Sequence, residues 1–254
     1  MGDWVFIGDA HLREWKFDEQ NRIIRFLERE KVSLETLVIL GDLFEFWFGF
    51  EPLAFQGYQP VLDKLEELVK DGVHIRYVEG NHDFELGAFF TETLNATIDV
   101  NDSIIELNGQ RIYMAHGDLV NKKDRGYRIF RRMLKNPVTF WTMRWAGPAV
   151  TKRVAAFLSS ISAGKGLTKN AEGIGQTYRE FATEKIREGF DVVILAHNHL
   201  PQSCSFEIDG KEGHYFNVGD WVDHFSFLRY RANQGFGIEY FKDQDKGERQ
   251  KARS

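Results

Sequence analysis

The stretch Thr36-Leu37-Val38-Ile39-Leu40-Gly41-Asp42 gives the strongest indication of the fold. Its apolar and β-branched run predicts a buried strand, and Gly-Asp is a pair typical of the turn that ends one. Strands of this kind occur mainly in parallel sheets that helices cover on both faces. In open α/β sheets, ligands bind beyond the carboxyl ends of the strands. Asp42 is therefore a candidate site residue.

The neighbouring segments repeat this arrangement of strand and helix. Val5–Ile7 and Ile75–Val78 are further apolar runs, and helical periodicity is present over 18–31 and over 58–69. Strands that alternate with helices imply a buried and largely parallel sheet.

The pattern changes after residue 100. Asn108-Gly109 lies between two apolar segments and predicts a hairpin with a type I′ turn. Asp209-Gly210 marks a second hairpin. The segments 225–229 and 236–240 are predicted to pair as a third. We expect an α/β fold of the α+β type, in which a helical lid at about 120–170 interrupts one domain of residues 1–242. Residues 243–254 are polar and are expected to form a disordered tail.

The composition limits the type of protein. A chain of 254 residues with 43% hydrophobic content can bury a substantial core, and its single cysteine excludes a disulfide framework and a thiolate zinc site. One cysteine suits a reducing cytosol. Neither a signal peptide nor an apolar run of about 18 residues is visible in the sequence. A cytoplasmic protein is therefore expected.

Five short motifs follow apolar runs and carry residues that can bind metals. Each is weak alone, because Gly-Asp and Asp-x-His are common in turns. Together they predict one site, since the ends of several strands meet at the same sheet edge. The motifs are Gly8-Asp9-Ala10-His11, Gly41-Asp42-Leu43-Phe44, Gly80-Asn81-His82-Asp83, His116-Gly117-Asp118 and Ala196-His197-Asn198-His199.

The donor chemistry narrows the choice of metal. Carboxylates, imidazoles and one amide, without thiolate, suit manganese, with iron and zinc as alternatives. Asp42 could bridge two divalent cations, and a two-metal site generates a nucleophile from water at neutral pH. The candidate ligands are Asp9, His11, Asp42, Asn81, His116, His197 and His199.

The region from Lys122 to Lys169 is strongly basic within an acidic protein. It holds twelve Lys and Arg against one acid, although the whole chain has a net charge of −5. Aromatic and aliphatic residues lie among the cations, as in segments that dock on anionic membranes. Arg131 and Arg132 are expected to contact such a surface. The alternatives are an ordinary helical hairpin core and, less expected, nucleic-acid binding.

These motifs, in this order, resemble the calcineurin-like metallophosphoesterase superfamily over residues 3–241. The resemblance implies a β-sandwich of two mixed sheets flanked by helices. It also implies one metal site of Asp9, His11, Asp42 and His199, and a second of Asp42, Asn81, His116 and His197. Asn81, His82 and Asp83 would be catalytic, with His82 beside the phosphate and Asp83 orienting it.

Within the superfamily the chain looks most like the UDP-2,3-diacylglucosamine pyrophosphatases. The extended motif from Gly41 to Trp47 and the segments 126–131 and 136–137 carry this resemblance. It implies hydrolysis of a lipid-linked UDP-sugar at the inner-membrane surface, where the enzyme would be peripheral. It also implies substrate contacts from Asn81, His82, Asp124, Ser162, Lys169 and His197. It implies nothing about the oligomeric state.

Three positions depart from that family's pattern. His82 stands where the family usually has Arg, Asn198 and Leu200 alter the closing motif, and Gly166 replaces an Asn in the lid. A protonated His can stabilise charge as Arg does, and it can also act as a general acid toward a poorer leaving group. A phosphodiesterase or nucleotide pyrophosphatase with a soluble substrate therefore remains an alternative. A non-catalytic metal-containing scaffold is the third reading.

Overall fold

The computed structural model describes residues 2–49, 57–122, 124–147, 150, 153 and 171–243. Within these ranges the strands are β1 Asp3–Ile7, β2 Leu34–Ile39, β3 Trp47–Phe48, β4 His74–Val78, β5 Asp83–Glu85, β6 Thr97–Asp99, β7 Asp102–Leu107, β8 Gln110–Ala115, β9 Val192–Leu195, β10 Gln202–Ile208, β11 Lys211–Asn217, β12 Ser226–Arg231 and β13 Gly235–Tyr240. The helices are α1 Phe17–Glu30, α2 Gln59–Lys70, α3 Arg125–Leu134, α4 Pro137–Ala146 and α5 Ala171–Arg187, with a π-helical turn over Phe89–Thr93.

The strands form two mixed sheets and a short two-stranded one. The first sheet has the order β13-β12-β1-β2-β4-β6, and β1, β2, β4 and β6 run parallel to one another. The second has the order β10-β11-β9-β8-β7, with a parallel centre of β11, β9 and β8. The third pairs β3 with β5. The second sheet thus has an antiparallel strand at each edge, whereas the first has antiparallel strands only on the side of β12 and β13.

The two large sheets pack face to face. Phe6, Val38 and Val78 from the first sheet share one buried cluster with Ile112, Ile194 and other residues of the second. Alternate residues of the same strands point the opposite way, and Leu37 and Ile39 join a second cluster with residues of α1 and α2. Because both faces of β2 are buried at its carboxyl end, its last three residues, Leu37, Val38 and Ile39, are all apolar.

Helix α5 covers the outer face of the second sheet. Ala182 and Ile186 pack with Tyr113, Leu195 and Tyr215 in a third buried cluster. The expected sandwich of two mixed sheets flanked by helices is therefore confirmed.

The predicted hairpins are present. Asn108 and Gly109 both have positive φ, 52° and 76°, as a type I′ turn requires. One long-range pairing was not predicted: β12 and β13, at the end of the chain, extend the first sheet beside β1.

The insertion and the tail are described in part. Helices α3 and α4 begin the predicted lid, whereas Ser162 and Lys169 lie outside the described residues. Asp243, expected to open a disordered tail, pairs with Arg22 and Arg25 of α1, so the ordered chain reaches at least this residue. Positions 244–254 lie outside the described residues. Among the helices in the described ranges, none combines the length and the apolar character needed to cross a membrane.

Candidate metal centre

The five motif loops meet beyond the strand ends and are tied together through their backbones. His11 N donates to Asp42 O at 3.0 Å, and Asp9 N donates to Gly41 O at 3.2 Å. On the other side, Ala196 N donates to His116 O at 2.9 Å. The convergence predicted from the strand ends is therefore present in the fold.

Five of the candidate ligands have a left-handed backbone, which non-glycine residues rarely adopt. Their φ angles are 49° at Asp9, 43° at His11, 54° at Asp42, 69° at His197 and 60° at His199. Such conformations persist only where the surroundings enforce them, and they concentrate at functional sites.

Two glycines allow the loops to approach one another. A Cβ on Gly80 would lie 2.1 Å from Oδ1 of Asp42. A Cβ on Gly41, whose φ is +81°, would lie 2.6 Å from the Cα of Gly80. Glycine is required at both positions because any side chain would displace the Asp42 carboxylate or its loop.

Asp9 presents a buried oxygen that has no hydrogen-bond partner among the described residues. This atom, Oδ1, lies 3.7 Å from Nε2 of His11 and 3.6 Å from Nε2 of His199. The other oxygen of Asp9 accepts from His197 N at 2.6 Å. A buried unpaired carboxylate oxygen between two imidazoles is what a divalent cation would satisfy.

Asp42 lies between the two groups of histidines. Its Oδ2 is 3.3 Å from Nε2 of His116 and 3.9 Å from Nε2 of His11, and its Oδ1 accepts from His82 N at 2.8 Å. One carboxylate oxygen therefore faces an imidazole of each expected site, as a bridging ligand must.

The remaining candidates gather around His116. Nε2 of His116 lies 3.0 Å from Oδ1 of Asn81 and 3.1 Å from Nδ1 of His197. The structure thus brings all seven predicted ligands into one cluster. Its oxygen and nitrogen donors fit divalent metal ions, with several ligand atoms within 4.8 Å of one another.

The two buried carboxylates change the pKa values of the neighbouring histidines. Although burial disfavours their charged forms, Asp42 raises the pKa of His116 to about 10, and Asp9 raises the pKa of His11 to about 9. Burial, together with the neighbouring His116, lowers the pKa of His197 to about 4. In the metal-free protein, protonated imidazoles therefore balance the two acids.

His82 and Asp83 have different partners from those expected. Nδ1 of His82 contacts the backbone oxygen of Glu45 at 2.5 Å. Asp83 does not bond that imidazole. Its Oδ2 accepts from Asp42 N at 2.9 Å and from Gly80 N at 2.8 Å, and its Oδ1 accepts from the Tyr77 hydroxyl at 2.9 Å. The expectation that Asp83 orients His82 is wrong, because this buried carboxylate holds two motif loops together instead.

Two acidic residues near the site were not among the predicted site residues. Asp220 Oδ2 lies 3.6 Å from Nδ1 of His199, and Glu45 Oε2 lies 3.6 Å from Nδ1 of His11. The available signal for Asp220 was Gly219-Asp220, another Gly-Asp pair shortly after a strand. Although burial opposes its ionisation, His199 and backbone N–H groups hold the pKa of Asp220 well below its usual range.

The first lid helix is fixed to the metal centre by one face. Arg131 is only 8% exposed and pairs with Asp118, and Lys135 Nζ pairs with Glu79 at 2.8 Å. The expectation that Arg131 faces an anionic surface is therefore wrong, whereas Arg132 is exposed. Asp124 is the N-cap of α3 and accepts from Tyr127 N at 2.9 Å.

Comparisons with known proteins find similar sequences over most of the chain. The family model "Calcineurin-like phosphoesterase" matches residues 4–201. The UDP-2,3-diacylglucosamine hydrolase of Pseudomonas paraeruginosa is 31% identical over 85% of this chain and 90% of its own. That of Pseudomonas entomophila is 30% identical over 94% of this chain and 98% of its own. A solved structure of an archaeal phosphodiesterase covers 94% of this chain and 99% of its own, at 14% identity and a TM-score of 0.48.

Proposed function

Because the chain belongs to the calcineurin-like phosphoesterase family, a family of metal-dependent hydrolases, we propose that it cleaves the pyrophosphate of UDP-2,3-diacylglucosamine. The products would be UMP and 2,3-diacylglucosamine 1-phosphate. The observation that carries this proposal is the cluster of seven oxygen and nitrogen donors, in a chain that matches hydrolases of this substrate over nearly its whole length.

The proposed cofactor is a pair of divalent cations. Manganese is the preferred assignment, and the donor set is also compatible with iron or zinc. Such a pair lowers the pKa of water and neutralises phosphoryl oxygens. The first site would use Asp9, His11, Asp42 and His199, and the second Asp42, Asn81, His116 and His197. Asp42 belongs to both because its Oδ2 faces an imidazole of each.

Three side chains are proposed to bind the phosphoryl group: Asn81, His82 and His197. The contact of Nδ1 with Glu45 O leaves Nε2 of His82 for the substrate. His82 would stabilise the charge that develops on the phosphate, and it could also hold a proton for the leaving oxygen. Asp83 would not contact the substrate. It would position Asp42 and Asn81 by accepting hydrogen bonds from the loops that carry them.

The lid supplies the argument for a lipid substrate. Apolar side chains project from α3 and α4, and Trp145 is 89% exposed. Ile129, Met133 and Trp141 are also exposed, and the cation Arg132 lies among them in sequence. Apolar and cationic groups together favour docking on an anionic membrane. We therefore place the enzyme on the cytoplasmic face of the inner membrane, with Asp124, Ser162 and Lys169 as further substrate contacts.

A second candidate function is a phosphodiesterase with a soluble substrate. One observation favours it: an imidazole, His82, stands at the position expected to face the phosphate, and it can protonate an alkoxide leaving group. A non-catalytic scaffold is less well supported, since the full set of donors is in place.

The test is release of UMP from UDP-2,3-diacylglucosamine in detergent with manganese added, beside a panel of soluble phosphodiesters. We expect the lipid nucleotide to be the better substrate by kcat/KM. The Asp42→Ala variant should lose both turnover and bound metal, because Asp42 would serve both cations. A clear preference for a soluble diester would select the second function. Full activity in Asp42→Ala would reject the dinuclear centre.

A further inference from the structure

We infer that Glu45 and Asp220 are positioning residues that make the first of the two metal sites the tighter one. The inference rests on the proposed function, because it concerns the same metal centre. It goes further by assigning a role to two residues outside the ligand set and an order to the binding of the two cations.

His11 and His199 form a matched pair of ligands. Their rings stack at a centroid distance of 5.2 Å with an interplanar angle of 13°. Each directs Nε2 toward Oδ1 of Asp9, at 3.7 Å from His11 and 3.6 Å from His199. The two imidazoles therefore approach the expected cation from the same side of the site and through the same ring nitrogen.

The outer nitrogens of this pair both face carboxylates. Nδ1 of His11 lies 3.6 Å from Glu45, and Nδ1 of His199 lies 3.6 Å from Asp220. These are ion-pair distances rather than hydrogen bonds. A carboxylate at Nδ1 favours the tautomer with its proton there, which leaves the Nε2 lone pair for a metal and strengthens it as a donor.

Asp220 is held in place. It is 1% exposed, and its Oδ1 accepts from the backbone N–H groups of Val222, Asp223 and His224 at 2.9, 2.6 and 3.0 Å. Its Oδ2, which faces His199, is also 2.8 Å from Nδ1 of His224. Trp221 N donates to Asp9 O at 3.1 Å, so the same loop is tied to a first-site ligand.

The second site differs in the charge of its outer support. The outer nitrogen of His116, Nδ1, contacts the neutral backbone oxygen of Leu40 at 2.7 Å instead of a carboxylate, whereas His197 directs its own Nδ1 into the cluster, 3.1 Å from Nε2 of His116. The second site also has the neutral amide of Asn81 where the first has the carboxylate of Asp9. Loss of an outer partner of a metal-bound His typically weakens metal binding about 10- to 100-fold. We therefore expect the first site to bind Mn²⁺ at least about tenfold more tightly than the second.

The experiment is a titration of the metal-free full chain with Mn²⁺. Binding is measured by calorimetry and, independently, by the electron paramagnetic resonance signal of free Mn²⁺. Two classes of site are expected. His199→Ala should remove the tight class, which assigns it to the first site. Asp220→Asn and Glu45→Gln should each weaken the tight class about 10- to 100-fold and leave the weak class nearly unchanged.

Asp223→Asn is the matched control, because Asp223 is an exposed acid in the Asp220 loop. It should bind both cations as the unaltered chain does. Thermal unfolding of each metal-free variant checks the fold. Should Asp220→Asn fail to fold, Glu45→Gln carries the same test from a separate loop.

Equal affinity of the two sites, or weakening of both classes alike by Asp220→Asn and Glu45→Gln, would overturn the inference. So would an Asp220→Asn variant that binds Mn²⁺ as Asp223→Asn does. These outcomes leave hydrolysis of the lipid nucleotide intact. Conversely, a protein that binds two cations in this order but does not cleave the lipid nucleotide supports the inference and rejects the proposed substrate.

Discussion

Arg131, in the middle of helix α3, forms a buried ion pair with Asp118, which follows the candidate ligand His116 by two residues. The Tyr127 hydroxyl donates to the same carboxylate at 2.9 Å, and Lys135 reaches Glu79. Tyr127, Arg131 and Lys135 are four residues apart and so share one face of the helix. The base of the lid is thereby fixed to two loops of the metal centre.

Replacement of Arg131 should destabilise the folded protein. Arg131→Met leaves the Asp118 carboxylate buried without its cation, and breaking a buried pair in this way typically costs about 3 kcal/mol or more in the free energy of unfolding. Urea unfolding of the metal-free protein measures the loss. The exposed neighbour provides the control, since Arg132→Met should change stability by less than about 0.5 kcal/mol.

Membrane docking should depend on the exposed face of the lid. Arg132→Glu and Trp145→Ala should each reduce co-sedimentation with anionic vesicles, and only the Arg132→Glu effect should shrink as salt is raised, because salt screens charges but not apolar burial. Hydrolysis of a small chromogenic phosphodiester should not change. A parallel loss of vesicle binding and diester hydrolysis would contradict a separate docking role.

The substitution His82→Arg separates the two proposed reactions. Arg keeps a positive charge near the phosphate but cannot donate a proton, because its pKa is above about 12. Cleavage of the lipid nucleotide, which expels a good leaving group, should keep substantial activity. Hydrolysis of alkyl diesters should fall about 10²- to 10⁴-fold, the usual contribution of acid catalysis. His82→Ala is the comparison and should impair both.

If His82→Arg were fully metallated yet inactive on the lipid nucleotide, the imidazole would be an obligatory acid. The physiological substrate would then be a diester. Measurement of bound manganese in the variant is therefore part of this experiment.

Metal binding should release protons. With pKa values of about 9 and about 10, His11 and His116 both carry protons at pH 7.5 in the metal-free protein. A protonated imidazole cannot bind a metal, so loading both sites should release about two protons. Affinity should rise with pH up to about 9 at the site of His11 and up to about 10 at the site of His116. Calorimetry in buffers of different ionisation enthalpy counts these protons. If the measured binding enthalpy did not depend on the buffer, no protons would be released, and this result would contradict the protonated imidazoles described for the site.

Much of the fold follows from local sequence. The apolar run 36–40 predicts a strand covered on both faces, and Asn108-Gly109 predicts a tight hairpin, because each pattern depends on neighbouring residues alone. The placement of β12 beside β1 does not follow. It joins Phe6 to Leu228, and no periodicity within either strand specifies a partner so distant in the chain.

The metal ligands could be predicted because each follows a recognisable strand, and strand ends of parallel sheets meet. Their supporting residues could not. A motif places Asp83 beside His82 in sequence, yet the side chain turns toward Tyr77 and the backbone of Asp42. Likewise, the sequence of α3 shows many cations but not which face of the helix packs on the core, so the burial of Arg131 was missed.

The left-handed backbone conformations of the candidate ligands lower the stability of the fold in order to position the groups that bind metal. A non-glycine residue in that region costs roughly 1–2 kcal/mol, and glycine at Asp9, Asp42 or His197 would relieve it. In a descendant lineage that no longer needed the reaction, replacement of these residues by glycine or asparagine would therefore be expected first, because it relieves the backbone strain. Retention of acids and imidazoles there would be a record of continued selection for the chemistry, independent of how much the rest of the sequence has diverged.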